Sequence, residues 1–544
     1  MTPDPAGATG GGPGLGSGGA PDRARGAGSL GRWCARGAAL ALLLGALFAP
    51  GLAIGGAPLE DPQRQVLGVT AFTATLWLTA AAPVALASIA PAALLVAFGV
   101  LEPRALTGLH GHRLVLLFLG AFVVALGLER WGVHRRIALF VIARVGSSRS
   151  RVVLGFMAAS AFLSMWINNT ATTLMLVPIV GAVLARFDEA SDGEPNPRFG
   201  YCLLLGVAYS ASVGGMVTPV GTAPNQVYLG QLESQFPGAP EAAFAQWTVA
   251  FLPLALLFVP VGWFVLTRIA HRLPEGDGAS VGVDVIRAER VAQGPLAPAQ
   301  LRMAALFVTT AVLWVFRRDL ELGGLVVPGW TGLLTRAGVP ASSIGDHHVA
   351  LAMALLLLVL PAGRGPADGV ERHGRSLVDL RTALRVPWDV LLLLGGGFCI
   401  AAGFAATGLD DRVGAALAPL LEDRPRWVVV GTVTLAVSFL TEVTSNTATT
   451  VVLMPVLAAS AVEAGLDPRA VMLPGALAAS AAFMLPVATP PNAVAFATRR
   501  VPMLAMARAG VLLNFAMVLI VLAVLELWAL GRMGLEEGVP TWAR

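Results

Sequence analysis

Lysine is absent from this chain of 544 residues, so its basic charge rests on arginine. The triple glycine Gly395-Gly396-Gly397 therefore has no Lys-Ser/Thr behind it to hold a phosphate, and it reads as a place of close helix packing. Cysteine is scarce: Cys34, Cys202 and Cys399 lie in or beside apolar segments without metal-like spacing. They read as small packing residues rather than a disulfide or zinc framework. Charge of either sign is scarce as well, at 13% of residues against about 25% in a soluble domain. The net charge of +4 does not mark a nucleic-acid surface, because the arginines sit in short loops between apolar segments instead of on one basic face.

What the chain has in quantity is apolar sequence: 56% of residues, with a mean hydropathy of +0.73. Long apolar runs recur, among them 37–54, 114–128, 252–266 and 511–530. The fold class that follows is an all-α polytopic membrane protein embedded in a lipid bilayer. Residues 1–36, rich in Gly, Pro and Ala, read as a disordered tail. Arg32 and Arg36 before the apolar run 37–54 have the look of a late signal peptide, but the long preceding tail favours a first membrane helix.

The apolar pattern predicts helices at 68–81, 84–101 and 113–129, then an amphipathic segment near 131–146. A hairpin at 151–186, a broken helix at 200–232 and a helix at 247–271 follow. Beyond a polar loop at 272–298 come helices at 299–317, 347–362 and 388–408. A second hairpin at 427–465, a second broken helix at 470–500 and a helix at 508–531 complete the series.

Arginine clusters orient this map. Arg130, Arg135, Arg136, Arg144, Arg149 and Arg151 fall on one side, joined by Arg268, Arg272, Arg287, Arg290, Arg364, Arg372, Arg375, Arg381, Arg385, Arg499, Arg500 and Arg508. The loop at 230–246 opposite has no basic residue. The expected N-terminus is cytoplasmic, in a plasma (inner) membrane protein, and the C-terminus lies outside. Arg317, Arg318, Arg412, Arg424 and Arg426 dissent, partly offset by acidic neighbours.

The chemistry is written twice. Phe162-Leu163-Ser164, Asn168-Asn169-Thr170-Ala171-Thr172-Thr173 and Pro178 parallel Phe439-Leu440-Thr441, Ser445-Asn446-Thr447-Ala448-Thr449-Thr450 and Pro455. Further on, Thr218-Pro219-Val220-Gly221-Thr222-Ala223-Pro224-Asn225 parallels Leu485-Pro486-Val487-Ala488-Thr489-Pro490-Pro491-Asn492. One Asn-Thr pair in a membrane helix is ordinarily packing or back-bonding. Two phrases recurring in the same order indicate an internal duplication. The topology gives the halves opposite sense, and inverted repeats with helices interrupted at corresponding places point to a transporter's binding site. Broken backbone at membrane depth survives where it lines a wet cavity or holds something. Helix N-termini suit an anion, and freed carbonyls with Ser, Thr and Asn oxygens suit a hard cation.

The expected organisation is therefore a tail (1–36), N-terminal membrane helices (37–101), a first repeat (102–271), a cytoplasmic loop (272–298), a second repeat (299–531) and a short tail (532–544).

These paired motifs resemble the divalent anion/sodium symporter family, which includes sodium-coupled dicarboxylate, citrate and sulfate transporters. Pro387-Trp388-Asp389 before the triple glycine, and Phe244-Ala245-Gln246-Trp247 before Pro253, add to the likeness. The resemblance covers nearly everything after the tail. It implies a homodimer whose protomers pair a scaffold with a transport domain that moves as an elevator, the hairpins being re-entrant. It implies sodium as the coupling ion, with one site from Ser164, Asn168, Asn169 and Gly221 and another from Thr441, Thr444, Asn446 and Ala488. The substrate, a C4-dicarboxylate such as succinate or another divalent anion, would meet Asn169, Thr170, Thr222, Ser445, Asn446, Thr447, Thr489 and Pro490. Asn168 departs from the family's usual serine; an amide oxygen still ligates sodium, but it is larger and brings donors. No Arg stands at either hairpin tip, so a dianion is held by amides, hydroxyls, dipoles and co-bound cations.

Glu442, near the second tip, is either a proton site or hairpin support. His110, His112, His347 and His348 read as solvated loop histidines. Trp33, Trp131, Trp247, Trp388 and Trp528 suit interfacial anchoring. No nucleophile or metal cluster suggests an enzyme, and a channel has no use for duplicated coupling-ion sites. A sodium-independent exchanger and a sodium/sulfate symporter on the same fold are the alternatives.

Overall fold

The structure, a computed structural model, describes residues 23–49, 51–145, 148–189, 196–273, 287–322, 325–336, 338–340, 343–363, 366–367, 370–371 and 376–544. Most of the expected tail, much of the polar loop at 272–298, and Arg364, Arg372 and Arg375 lie outside the described residues.

The chain is all-α. Arg23–Phe48 (α1), Asp61–Thr79 (α2) and Val84–Ala97 (α3) lead into a short helix, Ala105–His110 (α4). Arg113–Arg130 (α5) and Val133–Val145 (α6) follow, then the first hairpin, Arg149–Ser164 (α7) and Asn169–Glu189 (α8). The first broken helix is Pro197–Met216 (α9) and Ala223–Gln235 (α10), and Phe244–Phe264 (α11) closes this half. Pro298–Val315 (α12), Thr331–Arg336 (α13), Asp346–Val359 (α14), Leu380–Ala383 (α15), Trp388–Thr407 (α16) and Leu409–Leu417 (α17) open the other. The second hairpin is Arg426–Leu440 (α18) and Asn446–Glu463 (α19). The second broken helix is Arg469–Ala479 (α20) and Pro490–Ala497 (α21), and Met503–Val524 (α22) runs to the end of the bundle. Strands among the described residues are confined to antiparallel pairings of two or three residues.

Nine helices among the described residues are long and apolar enough to cross a membrane. An integral membrane protein follows, since a chain this apolar has few polar faces to offer water. The core is built on α9, which is buried along almost all its length and packs against α7, α8 and α11. The two halves interlock there. From the first half, α10 packs against α19 and α20; from the second, α21 packs against α8 and α9. Each broken helix thus delivers its second segment to the other half's hairpin, which draws the two breaks and two hairpin tips together.

The triple glycine is a packing seam, as its sequence suggests. A methyl group on Gly396 would collide with the Ser88 carbonyl of α3, and one on Gly397 would lie 2.8 Å from Val451 Cγ1 of α19. That seam fixes α16 against both elements.

Several expectations are corrected. The helix expected over 37–54 is instead Arg23–Phe48, so part of the expected tail is helical; Arg36 Nε donates to the Ala81 carbonyl at 2.7 Å. The helix ends at Phe48, earlier than hydropathy suggests. The helix expected to 101 ends at Ala97, because Gly99 turns at φ 74°. His112 is not a solvated loop residue without an acidic partner: its Nε2 lies 3.6 Å from Glu233 Oε2 and its ring packs on Phe398; His347 and His348 pack on each other at the start of α14, with His348 exposed as expected. Trp131 and Trp247 are buried rather than interfacial, and their indoles donate to the Leu377 and Met216 carbonyls; Trp33, Trp388 and Trp528 are exposed. Cys202 and Cys399 are buried packing residues, whereas Cys34 is exposed on α1. Arg317 is buried between Asp346 and Glu241, at 2.6 and 2.8 Å, so its acidic neighbours do offset it.

Candidate functional site

The two hairpins reach the same local solution from the same phrase. Ser164 Oγ donates to Asn169 Oδ1 at 2.7 Å, and Thr441 Oγ1 donates to Asn446 Oδ1 at 2.7 Å. Thr173 and Thr450 each donate to the carbonyl of that asparagine, at 2.9 and 2.7 Å. The hydroxyls are buried, the asparagines are half-buried, and the preceding residues, Asn168 and Ser445, are exposed. An asparagine at the first position of a helix, its oxygen fixed from behind, holds its backbone N–H and that of the next residue free of intrahelical partners. In each hairpin those amides belong to an Asn-Thr pair, Asn169-Thr170 and Asn446-Thr447.

The two breaks are also built alike. Asn225 Nδ2 donates to the carbonyls of Gly215 at 3.1 Å and Thr218 at 2.8 Å. Asn492 Nδ2 donates to those of Ala482 at 3.1 Å and Leu485 at 3.0 Å, the matching positions of the second phrase. These amides satisfy carbonyls that the interruption strips of helical partners. Trp247 adds a donor to Met216, the last residue of α9.

A cavity of about 1000 Å³ joins these parts. Its lining takes Asn168, Asn169 and Thr170 from the first tip and Gly221, Thr222 and Gln226 from the first break. Ser445, Asn446 and Thr447 come from the second tip, and Ala488, Thr489 and Pro490 from the second break. Of the residues expected to bind substrate or sodium, only Ser164, Thr441 and Thr444 are not on the wall. Ser164 and Thr441 stand behind it, holding the asparagine oxygens; Thr444 Oγ1 donates to the Leu440 carbonyl at 2.8 Å and meets Thr449 Oγ1 at 2.7 Å.

Four helices, α8, α10, α19 and α21, begin at this cavity. Their N-terminal dipole ends offer an anion partial positive charge without an arginine, since none lines the cavity among the described residues; the basic side chain there is His134, a histidine. Proline at Pro224, Pro490 and Pro491 removes amides from the first turns of α10 and α21. Free N–H donors therefore concentrate at the hairpin tips. Glu129 and Asp389 also line the cavity.

Oxygens converge beside the first tip. A methyl group on Gly215 would run into Asn169 Oδ1 and lie 3.1 Å from the Gly221 carbonyl; one on Gly221 would lie 2.5 Å from the Gly215 carbonyl and 2.9 Å from that of Ser164. An amide oxygen and several carbonyls around glycine Cα atoms form a donor set for a hard cation. Asn168 does not join it through its side-chain oxygen, which caps α8 by accepting from the Ala171 N–H at 2.8 Å. The end left over is Nδ2, a donor beside the cavity.

Glu442 has a structural role in the second half. Its carboxylate accepts from the backbone N–H groups of Phe483, Met484 and Leu485 at 2.7–3.0 Å and from Asn514 Nδ2 at 2.8 Å. It serves as hairpin support, one of the two roles its sequence position allows. The positioning residues whose task sequence reasoning missed are Asn225, Asn492, Trp247 and Asn514. The first two were visible as the closing residue of each repeated phrase; the tryptophan and Asn514 carried no local signal.

The profile described as "Sodium:sulfate symporter transmembrane region" matches residues 31–533. A protein named sodium-dependent dicarboxylate transporter SdcS in Staphylococcus saprophyticus is 33% identical over 488 residues, 89% of each chain. Its namesake in Staphylococcus aureus is 32% identical over 468 residues, 84% of each chain. Among solved structures, the Neisseria gonorrhoeae MtrF transporter shares the fold at a TM-score of 0.51 and 14% identity, over 78% of this chain and 82% of that one.

Proposed function

From the premise that this chain belongs to the sodium:sulfate symporter family, we propose that it is a sodium-coupled symporter of a divalent anion, most favourably a C4-dicarboxylate such as succinate. The observation that carries the reading is the cavity where two Asn-Thr hairpin tips meet with no arginine among the described residues of its wall. Two separate sets of free amides fit a ligand with two separate carboxylates. Asn169 and Thr170 take one end with Thr222; Ser445, Asn446 and Thr447 take the other with Thr489 and Pro490. The names of the two staphylococcal relatives support the same substrate class and the sodium dependence.

Sodium is the second cargo. The oxygens of Ser164, Asn169, Gly215 and Gly221 form the first site, and Thr441, Thr444, Asn446 and Ala488 contribute the second. Bound sodium neutralises a dianion in a cavity of low dielectric and so makes anion binding depend on it. In this reading Asn168 is an anion donor through Nδ2 rather than a sodium ligand, because its oxygen is engaged as a helix cap.

The duplicated phrases support inverted repeats, and the interlocked hairpins and breaks support a transport domain that carries the site as an elevator. The homodimer, the inner membrane and the cytoplasmic N-terminus belong to the same reading, supported by the family resemblance and by the arginine distribution. The test is uptake of labelled succinate into proteoliposomes under an inward sodium gradient against a matched choline gradient. Sodium-driven accumulation that Asn446→Ala abolishes is the expected result. Equal uptake without sodium, requiring internal dicarboxylate, makes the protein an exchanger, and sodium-driven uptake of sulfate alone changes the substrate.

A further inference from the structure

A second large hollow lies away from the transport cavity, between the amphipathic helix α6, the first hairpin and α12. Its volume is about 1140 Å³. Apolar side chains form its walls, with Ile137 and Phe140 from α6, Phe162 from α7, and Phe307 and Val308 from α12. Phe140, Phe162 and Val308 are exposed there, 40% or more of each. Leaving that much apolar surface open to water is unfavourable, so something apolar covers it.

The rim is cationic. Arg136, Arg287 and Arg290 line the hollow, and no carboxylate among the described residues does. Arg136 is held by neutral partners, Gln300 Oε1 and the Gln293 and Pro295 carbonyls, which position its charge without cancelling it. Arg287 and Arg290 are exposed and form no ion pair among the described residues; the nearby Glu289 is engaged by Arg135 instead. Gln293 Nε2, also on the lining, is buried without a hydrogen-bond partner. An orphaned donor and three cations with no carboxylate partner among the described residues, above an apolar floor, describe an amphipathic anion. A small free anion uses the rim but leaves the floor open, whereas a phospholipid fills both.

We propose that this hollow is a binding site for an anionic phospholipid, its acyl chains lying against Phe140, Phe162 and Val308 and its phosphate held by Arg136, Arg287, Arg290 and the Gln293 amide. Arginine-lined pockets between membrane helices are the setting in which such headgroups bind. The site is separate from the transport reading, yet it touches the first hairpin. Phe307 meets the ring of Trp166 edge-on at 5.3 Å, and Trp166 immediately precedes the tip that carries Asn168 and Asn169. A lipid seated here braces α12 against that hairpin.

Native mass spectrometry of the purified full-length chain tests this, using phosphatidylglycerol and phosphatidylcholine with identical acyl chains. The wild type is expected to retain phosphatidylglycerol preferentially. Arg287→Gln with Arg290→Gln reduces that preference by about fivefold per arginine. Val308→Trp, which fills the floor, lowers retention of both lipids, and the exposed control Arg186→Gln changes neither. Melting curves in lipid-free detergent confirm that each variant folds. Equal retention of the two lipids by the wild type, or an unchanged preference in the double arginine variant, overturns the proposal. So does displacement of the lipid by inorganic phosphate.

Discussion

The first and second halves of this protein use the same phrases to make the same turns, but they hold those turns differently. In the first half the break spans only 217–222 and is kept tight by glycine: Gly215 and Gly221 let backbone carbonyls and Asn169 approach one another without side chains between them. In the second half the break spans 480–489, the matching residues are Ala482 and Ala488, and a buried carboxylate organises the backbone. Glu442 does for Phe483, Met484 and Leu485 what no side chain does in the first half, where Met165 stands at the matching position and offers only its carbonyl, to Thr218 Oγ1. A duplicated sequence thus repeats the hydroxyl–asparagine pairs at the hairpin tips while each half stabilises its interruption by its own means.

The most severe way to break the comparison is to remove the carboxylate. Glu442→Ala leaves three backbone N–H groups and Asn514 without their acceptor, at about 1–3 kcal/mol for each buried group. The second break then loses its shape; thermal melting and size-exclusion profiles should show a grossly destabilised protein, and a melting temperature within a degree or two of the wild type would refute the role. Next comes the glycine asymmetry. Gly221→Ala places a methyl group 2.5 Å from the Gly215 carbonyl, so sodium-dependent binding should weaken by at least about tenfold. Ala488→Gly, its mirror, should change binding far less, and equal losses in the two variants would erase the distinction.

A smaller effect separates the tips. Asn168→Ser makes the first tip match Ser445 of the second. Serine caps a helix about as well as asparagine, so stability should hold. Loss of the Nδ2 donor should weaken succinate binding by about fivefold, measured by calorimetry, with the sodium dependence unchanged. A shifted sodium dependence would return Asn168 to the cation site.

The smallest effect lies outside the site. The Arg130 guanidinium beside Asp379 holds that carboxyl well below the usual carboxylate range. A carboxyl depressed in the folded state stabilises the fold above its unfolded pKa, and the benefit fades as pH falls toward the folded one. Asp379→Asn should therefore melt a few degrees lower than the wild type at neutral pH, and the two curves should converge in strong acid. A constant gap at every pH would assign the difference to packing.

The site was more legible in the sequence than the fold that carries it. Asn169, Asn446 and both break motifs stood out because polar residues in an apolar chain are costly unless they have work, and the same residues occurred twice. What stayed hidden depends on long-range packing. Nothing local marks Asn514 as a partner for Glu442, or Trp247 as a donor to Met216, and a tryptophan near a helix end looks the same whether it meets lipid or core. The motif position of Asn168 suggests a cation ligand; only the helix start beside it shows that its oxygen is engaged. The helical start at Arg23 escaped because glycine-rich sequence masks a helix whose stability comes from packing against α2.

The central claim is that both halves form one site in which sodium and a dianion bind together. Calorimetric titration of succinate into the purified protein at a series of sodium concentrations tests it directly. Linkage predicts that succinate affinity rises with sodium, and that Asn169→Ala and Asn446→Ala each abolish the rise. Succinate affinity that is indifferent to sodium, or that survives the loss of either asparagine unchanged, would contradict the account.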